Sequence, residues 1–571
     1  MTVTWRDRLA ARRAGFSTRR AQVLTPPAPP VIGNPDRGAA LVSGRFALHQ
    51  SRAVEIGTGT LWDVPAPTRA FEQARQDFGW LDDLAALGTA PARRRAHEWV
   101  TVWLTAQGHG AGPGWTLYTA ADRLAQLLAH RGWLLSAPVG VAEARLDRAL
   151  ARHRRFVQAR FRTVPPGPDG LCLAARIVSA AARLEHSDAL LARAQDGLDR
   201  ACPQTIDAAG GVMDRAPDTL GRAVCALADA ALALVDAGLG PHPEHARALA
   251  RAAPVLRALR HANGALARFH GGGAGDVARI DAALAALRGS GAAPARFAGA
   301  PSLPMGYARL ARGRVTVIAD MAAPPTGREA AGTAHASTLG FEMTHGRAPL
   351  IVNCGAGAAF GPDWHDAARH TASHSAVILA DRASSVIERA RGGAMVLTEA
   401  PGDVQVDLHA DAPDMHVVGA HNGYAKAFGL IHARRLDLSL AGDLLTGEDM
   451  LTAATTTDQR RFAPFARQGG VPFAIRFHLH PDVDARLDPS AGAVRLTLPT
   501  RDVWHFSHDG LGTIRLDPSV YLEKTRAQPA ACRQIVLSGR AAEPVTSVRW
   551  RLERDRATRA FDPPDPGGAP Q

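Results

Sequence analysis

Two histidines and an asparagine stand at the ends of predicted β-strands in the middle of this chain. His335 precedes one strand, Asn353 ends the next, and His374 begins a third. Because hairpin neighbours bring such positions to one end of a sheet, we expect the three side chains to meet. Two imidazoles and a carbonyl oxygen can hold a divalent metal, although zinc prefers a carboxylate or thiolate as its third ligand. The alternative is that both histidines hydrogen-bond to backbone at the strand ends.

A second group of reactive side chains lies in the segment GAHNGYAKAFGLIHARRLDL. It contains His421 and Tyr424, and His432 and Arg434 follow in the next predicted strand. A tyrosine near cationic groups loses its hydroxyl proton more easily, so Tyr424, assisted by His421, is a candidate general base or acid. The alternative is a turn whose tyrosine covers the edge of a sheet.

The helical part of the sequence offers two polar loops. One, NGALARFHGGG, carries Asn263, Arg268 and His270, and its glycines indicate a mobile segment near a helix end. The other, GGVMDRAP, carries Arg215, which can neutralise a carboxylate of a ligand or pair with a neighbouring aspartate. The three glycines do not form a phosphate loop, because neither a Walker lysine nor a preceding strand accompanies them.

Length and composition limit the class of protein. The chain has 571 residues, 46% of them hydrophobic, so two large domains are expected. It has no apolar run long enough to span a membrane, and its basic amino terminus lacks the apolar segment of a secretory signal. The five cysteines are widely spaced and form no CxxC pair, so a disulfide framework is not supported. We therefore expect a cytoplasmic protein, with the periplasm or cell envelope as the alternative.

The net charge of +12 favours an anionic partner. The basic residues are almost all arginines, as in proteins from high-GC genomes, and they are scattered rather than clustered beside aromatic residues. This distribution disfavours nucleic acid as the partner and is compatible with an acidic polysaccharide or oligosaccharide.

The periodicity of the sequence changes from helical to strand-like along the chain. In Asp218–Gly238, for example, Leu220, Val224, Leu227 and Leu234 form one apolar stripe, with Asp218 as the expected cap. Short Gly/Pro breaks join about nine such helices, which predicts a bundle or an incomplete ring of paired helices. Period-two strands without helix-length connections follow, which predicts a stacked antiparallel sandwich. The predicted organisation is an arm at 1–66, a helical domain at 67–288, a linker at 289–306, a β-sandwich at 307–556 and a disordered tail at 557–571.

The chain resembles the heparinase II/III family over nearly its whole length. The motifs that carry the resemblance are GNPDRGAALVSGRFAL, VLRALRHANGALARFHGGG, GYARLARGRVTVIAD, AHASTLGFE, ASHSAVILADRASS, HNGYAKAFGLIHARRLDL and RFHLHPDV. The resemblance implies a multidomain α + β fold, in which an N-terminal (α/α) toroid of helical hairpins precedes a C-terminal antiparallel β-sandwich.

The resemblance also implies a polysaccharide lyase that cleaves uronate-containing chains by β-elimination. In that role Arg215 would neutralise the sugar carboxylate, and His270 and Tyr424 would transfer protons with help from His421. Arg268, Asn263 and Tyr307 would bind substrate. Several relatives carry a divalent metal in the sandwich, zinc or calcium, and their histidine ligands map onto His335 and His374 beside Asn353; no other cofactor is implied.

Three departures from the family pattern put catalysis in question. Relatives typically show GGHxSRNP where this chain has Val212 and Ala216 in place of the histidine and the asparagine, and the metal-binding aspartate of relatives falls on Asn353. The alternative to a lyase is therefore a catalytically silent glycan-binding or envelope-associated protein of the same fold.

Overall fold

The computed structural model describes most of the chain. The described residues are 2–25, 33–46, 54–57, 59–136, 141–289, 303–327, 330–391, 393–409, 415–523, 526 and 528–555. Most of the predicted linker, at 290–302, and the whole predicted tail, at 557–571, lie outside them.

The first half of the chain is helical. Its helices are α1 Trp5–Gly15, α2 Pro35–Val42, α3 Arg69–Gln76, α4 Trp80–Leu87, α5 Ala90–Ala106, α6 Leu117–Ala129, α7 Arg131–Leu135, α8 Glu143–Arg160, α9 Pro168–Ala181, α10 Asp188–Thr205, α11 Pro217–Asp236, α12 Pro243–Ala258 and α13 Val277–Gly289. A short hairpin of β1 Arg45–Phe46 and β2 Val54–Glu55 accompanies them.

Helix α11 shows how the apolar stripe determines packing. Leu220, Val224, Leu227 and Leu234 are all fully buried, and α11 packs against α9, α12 and α13. The helix begins at Pro217, where a missing N–H has no cost, and no side chain caps it. The prediction that Asp218 caps this helix is therefore wrong.

Two short helices, α3 and α4, follow each other closely where the helical periodicity of the sequence runs on without an evident break. Thr68 caps α3 by accepting a hydrogen bond from the backbone N–H of Phe71. Phe78 then adopts a φ of 68°, which a continuous helix cannot contain, and α4 begins two residues later.

The amino-terminal arm lies on the helical domain. Thr4 and Asp7 form a capping box at the start of α1, and Asp7 also accepts a hydrogen bond from Arg160 of α8 at 2.6 Å. Further along, Val23 forms a β-bridge with Leu184. These contacts join the arm to the helices around it.

The second half of the chain is built from β-strands. They are β3 Tyr307–Arg312, β4 Val315–Asp320, β5 Phe341–His345, β6 Ala348–Val352, β7 Val377–Leu379, β8 Val386–Arg389, β9 Met395–Glu399, β10 Val404–His409, β11 Met415–His421, β12 Ile431–Leu438, β13 Leu444–Thr452, β14 Val471–Leu479, β15 Asp484–Asp488, β16 Ala493–Thr497, β17 Val503–His508, β18 Thr513–Tyr521, β19 Ala530–Ala541 and β20 Val545–Arg554. Three helices interrupt them: α14 Pro362–Ala368, α15 Ala425–Phe428 and α16 Thr456–Arg467.

Two large sheets stack face to face. One has the strand order β10-β11-β12-β13-β20-β17-β16-β15, and the other has β18-β19-β14-β6-β5-β4-β3 with β7 beside β14. Neighbouring strands in both sheets pair antiparallel. Phe341 of β5 stacks on Trp550 of β20 with ring centroids 5.8 Å apart, so the two sheets share one core. A β-sandwich that follows a helical domain is confirmed.

Helix α16 was missed by the sequence reasoning, which expected no helix between the strands. Its start has a capping box of Thr455 and Asp458, and its twelve residues carry the chain from β13 in one sheet to β14 in the other. The helix does not contradict the antiparallel pairing, because it connects two strands of different sheets and not two parallel neighbours in one sheet.

Strands β4 and β5 are buried on both faces. Val317 of β4 and Phe341 of β5 point into the sandwich core, whereas Ile318 belongs to the core of the helical domain. Because successive side chains of a strand point to opposite faces, Asp320 and Glu342 point towards the helices. These two strands therefore form the surface against which the helical domain packs.

No helix in the described parts combines the length and apolar character that a bilayer-spanning segment requires.

Candidate functional site

Two buried carboxylates hold the helical domain on the sandwich. Asp320 ends β4, Glu342 lies in β5, and their side chains are 0% and 4% exposed. Each carboxylate faces one arginine and one histidine from the helical domain: Arg215 and His270 for Asp320, and Arg268 and His261 for Glu342. We refer to these groups as the Asp320 latch and the Glu342 latch. A buried carboxylate without such cations would be strongly destabilising.

The Asp320 latch uses the hydrogen-bonding groups of Arg215. Its Nη2 donates to Asp320 Oδ1 at 2.5 Å, its Nε to the carbonyl of Met305 at 2.9 Å and its Nη1 to that of Ala323 at 2.7 Å. Ser337 donates its hydroxyl to Asp320 Oδ2 at 2.6 Å. A guanidinium held in this way has little capacity left to neutralise the carboxylate of a ligand.

Charge and burial oppose each other within this latch. Burial alone would raise the pKa of Asp320, but the charge of Arg215 and hydrogen bonds from His270 and Ser337 outweigh it and hold the pKa well below its usual range. Burial lowers the pKa of His270, whose Nε2 lies 3.3 Å from Arg215 Nη1. Arg215 and His270 both adopt positive φ, 53° and 47°, which is strained for residues with a side chain.

The Glu342 latch is built in the same way. Glu342 accepts a hydrogen bond from the backbone N–H of Arg268 at 3.1 Å, and His261 Nε2 lies 3.3 Å from the same oxygen. Arg268 also donates to the carbonyl of Asn353 at 2.9 Å, and its guanidinium lies 4.1 Å from the ring centroid of Tyr521. Although burial raises the pKa of Glu342, Arg268 and His261 bring it below its ordinary value.

The structure places the predicted catalytic residues in two separate clusters. Arg215 and His270 meet in the Asp320 latch, whereas His421 and Tyr424 lie inside the sandwich. Tyr424 is 1% exposed and donates its hydroxyl to the carbonyl of Val377 at 2.6 Å, and burial raises the pKa of Tyr424.

His421 belongs to a buried chain of hydrogen bonds. Its Nε2 lies 3.3 Å from His432 Nδ1, and His432 Nε2 lies 2.8 Å from Asp449, which Arg434 also holds. Burial and the charges of His432 and Arg434 lower the pKa of His421 well below its usual value. These contacts explain His421 as a structural residue of the sandwich core.

The predicted substrate-binding residues also separate. Arg268 is part of the Glu342 latch, and buried Tyr307 donates its hydroxyl to the backbone carbonyl of Arg215 at 2.6 Å. Asn263 lies in a half-exposed loop, where its side-chain oxygen accepts a hydrogen bond from the backbone N–H of Ala265. Of the three, Asn263 alone is within reach of solvent.

The histidine pair predicted to bind metal is assembled, but its third donor does not fit. His335 Nδ1 lies 3.2 Å from His374 Nε2, and burial lowers the pKa of both histidines, that of His374 to about 3. The side-chain oxygen of Asn353 accepts a hydrogen bond from the backbone N–H of Ser375. Within the described ranges no three His, Cys, Asp or Glu residues come together as metal ligands, and Nδ1 of His374 is buried without a hydrogen-bond partner there. Two imidazoles and an engaged amide are a poor donor set for zinc or calcium.

A cavity of about 680 Å³ is lined by the helical domain and, from the sandwich, by Glu523, whose carboxylate lies 3.9 Å from Arg268 of the Glu342 latch. The start of α2, helices α9 and α11, the first turn of α13 and the segment after β18 line it. Its charged side chains are four arginines and four carboxylates: Arg37, Arg176, Arg222, Arg279, Asp36, Asp218, Asp276 and Glu523. We refer to this space as the interdomain cavity.

The arginines of the interdomain cavity are held in ion pairs at its rim. Arg222 pairs with Asp169 at 2.9 Å, and Arg279 pairs with Asp229 at 2.7 Å. The Arg222 side chain is 53% exposed, so its pair is weak and a ligand can replace it. Cationic and anionic side chains in equal number suit a ligand that carries both hydroxyls and acid groups. The described residues that line the cavity include neither a histidine nor a tyrosine, the residue types that the sequence predicted for proton transfer.

The sequence reasoning did not select any of these four arginines. The stripe of α11 shows that Arg222 faces away from the apolar side of its helix, and this was the one available signal. The cavity forms where the polar faces of α2, α9, α11 and α13 come together. These helices are distant in sequence, so the sequence alone does not show that they meet.

Comparisons with known proteins find similarity in both halves of the chain. Residues 296–551 match the family model described as heparinase II/III-like, C-terminal. The chain is 29% identical over 540 residues to the FtsZ-localized protein C of Caulobacter vibrioides, covering 91% of this chain and 88% of that protein.

Two solved structures share the complete architecture. The crystal structure of heparinase III matches with a TM-score of 0.67 at 11% identity, covering 96% of this chain and 89% of that one. The heparan sulfate lyase HepC from Pedobacter heparinus matches with a TM-score of 0.54 at 11% identity, covering 95% and 87%. These likenesses confirm the predicted fold class, an (α/α) toroid followed by a β-sandwich, and at this identity they show the fold alone.

Proposed function

We propose that this chain, whose residues 296–551 match the heparinase II/III-like C-terminal model, binds an acidic polysaccharide or oligosaccharide in the interdomain cavity without cleaving it. Family and fold together support a polysaccharide lyase-like function. The positions of the groups that could transfer protons decide between cleavage and binding.

Elimination from a uronate needs a group that neutralises the carboxylate, a base and an acid, all in contact with the sugar. Arg215 and His270 are buried between the domains with side chains 12% and 0% exposed, and Arg215 is already bound to Asp320. Val212 and Ala216 stand where the resemblance to the heparinase II/III family implies a histidine and an asparagine. Each missing proton-transfer group costs about 10²–10⁴-fold in rate. This burial of the reactive side chains is the observation that carries the proposal.

Binding requires only what the interdomain cavity offers. Arg222 and Arg279 are partly exposed and can exchange their aspartate partners for a sugar carboxylate, which a guanidinium binds with two parallel hydrogen bonds. Asp276 and Glu523 line the same space and can accept hydrogen bonds from sugar hydroxyls. The ligand class that matches both sets of groups is a uronate-containing glycan.

One experiment separates binding from elimination. Purified protein is mixed with heparan sulfate, hyaluronan or alginate oligosaccharides; calorimetry measures binding, and ultraviolet absorbance detects the unsaturated uronate that elimination creates. We expect binding without a rise in absorbance. A rise that the His270→Ala or Tyr424→Phe variant abolishes would instead support the lyase mechanism with Arg215, His270 and Tyr424 in the roles predicted from the sequence.

A matched pair of variants tests whether the interdomain cavity is the binding site. Arg222→Ala should weaken glycan binding, whereas Arg486→Ala removes the same charge from a strand that does not line the cavity and should leave binding unchanged. Equal effects of the two variants would mean that the glycan responds to net charge and does not occupy the cavity.

The Caulobacter relative supports a second candidate function. Its name states that it localises with FtsZ, and the similarity extends over 91% of this chain. We propose that this chain has the same location. A labelled copy should coincide with FtsZ in cells, and a label spread evenly through the cell would contradict this second candidate.

A further inference from the structure

We propose that a second anion-binding site lies beside the interdomain cavity and takes further acidic units of the same glycan chain. This inference rests on the proposed function. The site is an open cavity of about 410 Å³ at the junction of the two domains. Its basic side chains come from the end of α12, from strand β3 and from the turn between β5 and β6: Arg257, Arg260, Arg309 and Arg347. We refer to it as the arginine pocket.

Positive charge in the arginine pocket greatly exceeds negative charge. One carboxylate, that of Asp281, lines it together with the four arginines, and Arg260 already pairs with it at 2.6 Å. Within the described part of the chain, Arg257, Arg309 and Arg347 have no carboxylate partner. Arginines that converge from two domains without counter-charges repel one another, and a bound anion would relieve that repulsion.

The end of helix α12 accounts for one of these arginines. Arg309 donates to the carbonyls of Ala258 and Arg260, at 3.2 and 2.5 Å. It thereby supplies hydrogen bonds to carbonyls at the helix end, where the helix itself provides no donors. Arg257 and Arg347 make no such contact in the described structure. Burial lowers the pKa of Arg257 and of Arg309, as expected for cations that are partly desolvated without an acidic partner.

The two cavities share one lining residue, the first residue of α13. Val277 lines both of them. Gly264, at a φ of 85°, lies so close that a Cβ there would be 2.6 Å from Val277 Cγ1. Glycine at this position therefore lets the loop pack closely against Val277. An extended chain that crosses Val277 can therefore place acidic units in both cavities at once.

The chemistry of the arginine pocket favours a glycan over a nucleic acid. Its described lining includes Asn263 and His261 but no phenylalanine, tyrosine or tryptophan on which bases could stack. Guanidinium groups and an amide match carboxylate or sulfate groups and hydroxyls. The ligand class is therefore an acidic oligosaccharide long enough to reach from one cavity into the other.

Chain length provides the test. Binding of short and long oligosaccharides from one acidic polymer is measured for the wild type and for the Arg257→Ala/Arg347→Ala variant. We expect the wild type to bind the long chains about tenfold more tightly than the short ones, which corresponds to about 1.4 kcal/mol. The variant should lose this gain and keep the affinity for short chains. Its dependence on salt should also become weaker, because fewer counterions are released.

A control variant removes the same charge elsewhere. Arg486→Ala/Arg515→Ala alters two exposed arginines of the sandwich that line neither cavity, and it should preserve the length dependence. Unchanged long-chain affinity in the pocket variant would refute the second site while the proposed function stands, and so would equal losses for short and long chains. If the wild type binds no acidic glycan of any length, both proposals fail. Preference for a DNA duplex over every glycan would also overturn the inference.

Discussion

Replacing Asp320 by asparagine should destabilise the junction of the domains by about 3 kcal/mol. Asp320→Asn keeps the shape of the side chain but leaves the buried Arg215 without its counter-charge. Removing one partner of a buried ion pair typically costs about 3–5 kcal/mol. We expect the lower end of that range, because the carbonyls of Met305 and Ala323 still accept hydrogen bonds from Arg215.

The measurement is urea unfolding followed by tryptophan fluorescence, with Asp437→Asn as the control. Asp437 pairs with Arg435 at 2.6 Å on the exposed side of the sandwich, so its loss should cost at most about 1 kcal/mol. The double variant Arg215→Met/Asp320→Asn should recover part of the loss, since it leaves no unpaired charge. A cost for Asp320→Asn no greater than that for Asp437→Asn would refute the description of Asp320 as a latch.

The depressed pKa of Asp320 gives this prediction a pH dependence. A carboxyl whose pKa is lower in the folded than in the unfolded protein stabilises the fold fully above the ordinary carboxyl range, about pH 4. That stabilisation is lost as the pH falls towards the folded-state value. The difference in stability between the wild type and Asp320→Asn should therefore be largest near neutral pH and shrink in acid.

Three other predictions concern residues outside the Asp320 latch. Tyr424→Phe removes the hydroxyl that donates to the carbonyl of Val377, so the free energy of unfolding should fall by about 1–3 kcal/mol in chemical unfolding. Glycan affinity should stay unchanged, and weaker binding would show that Tyr424 is a site residue. Added zinc should not raise the thermal midpoint, because no third strong ligand joins the pair of histidines among the residues that the structure describes; a rise that His335→Ala abolishes would contradict this. Asp7→Ala removes the contact of α1 with Arg160 and should speed tryptic cleavage within α1, and unchanged cleavage would show that the arm is held by other contacts.

Much of the fold could be predicted because periodicity is a local property. The stripe of α11 and the alternation of the β-half follow from side chains a few residues apart, and they gave the correct fold class. Helix α16 was missed because strands flank it and Pro464 interrupts its pattern, although the Thr455 and Asp458 capping box marked its start. The break at Phe78 could not be foreseen, since Phe has no general preference for positive φ.

The site was harder to predict because its chemistry depends on burial. Arg215 and His270 do meet, as the family resemblance implied, but the sequence does not show that Asp320 occupies Arg215. A signal existed: Asp320 directly follows the apolar run VIA in VTVIAD, and Glu342 lies between Phe341 and Met343 in FEMTH. Such residues require cations from another part of the chain. Identifying those cations needed the packing of the two domains.

The two latches also restrict how this protein could exchange parts with its relatives. A chimera that joined this sandwich to a foreign ring of helices would inherit Asp320 and Glu342 and would need an arginine and a histidine opposite each. Without these arginines and histidines, Asp320 and Glu342 would be buried as unpaired negative charges, and the two domains would separate or unfold. Recombination is thus confined to helical domains that already carry an arginine and a histidine opposite each carboxylate, so the sequences of the two halves must change together.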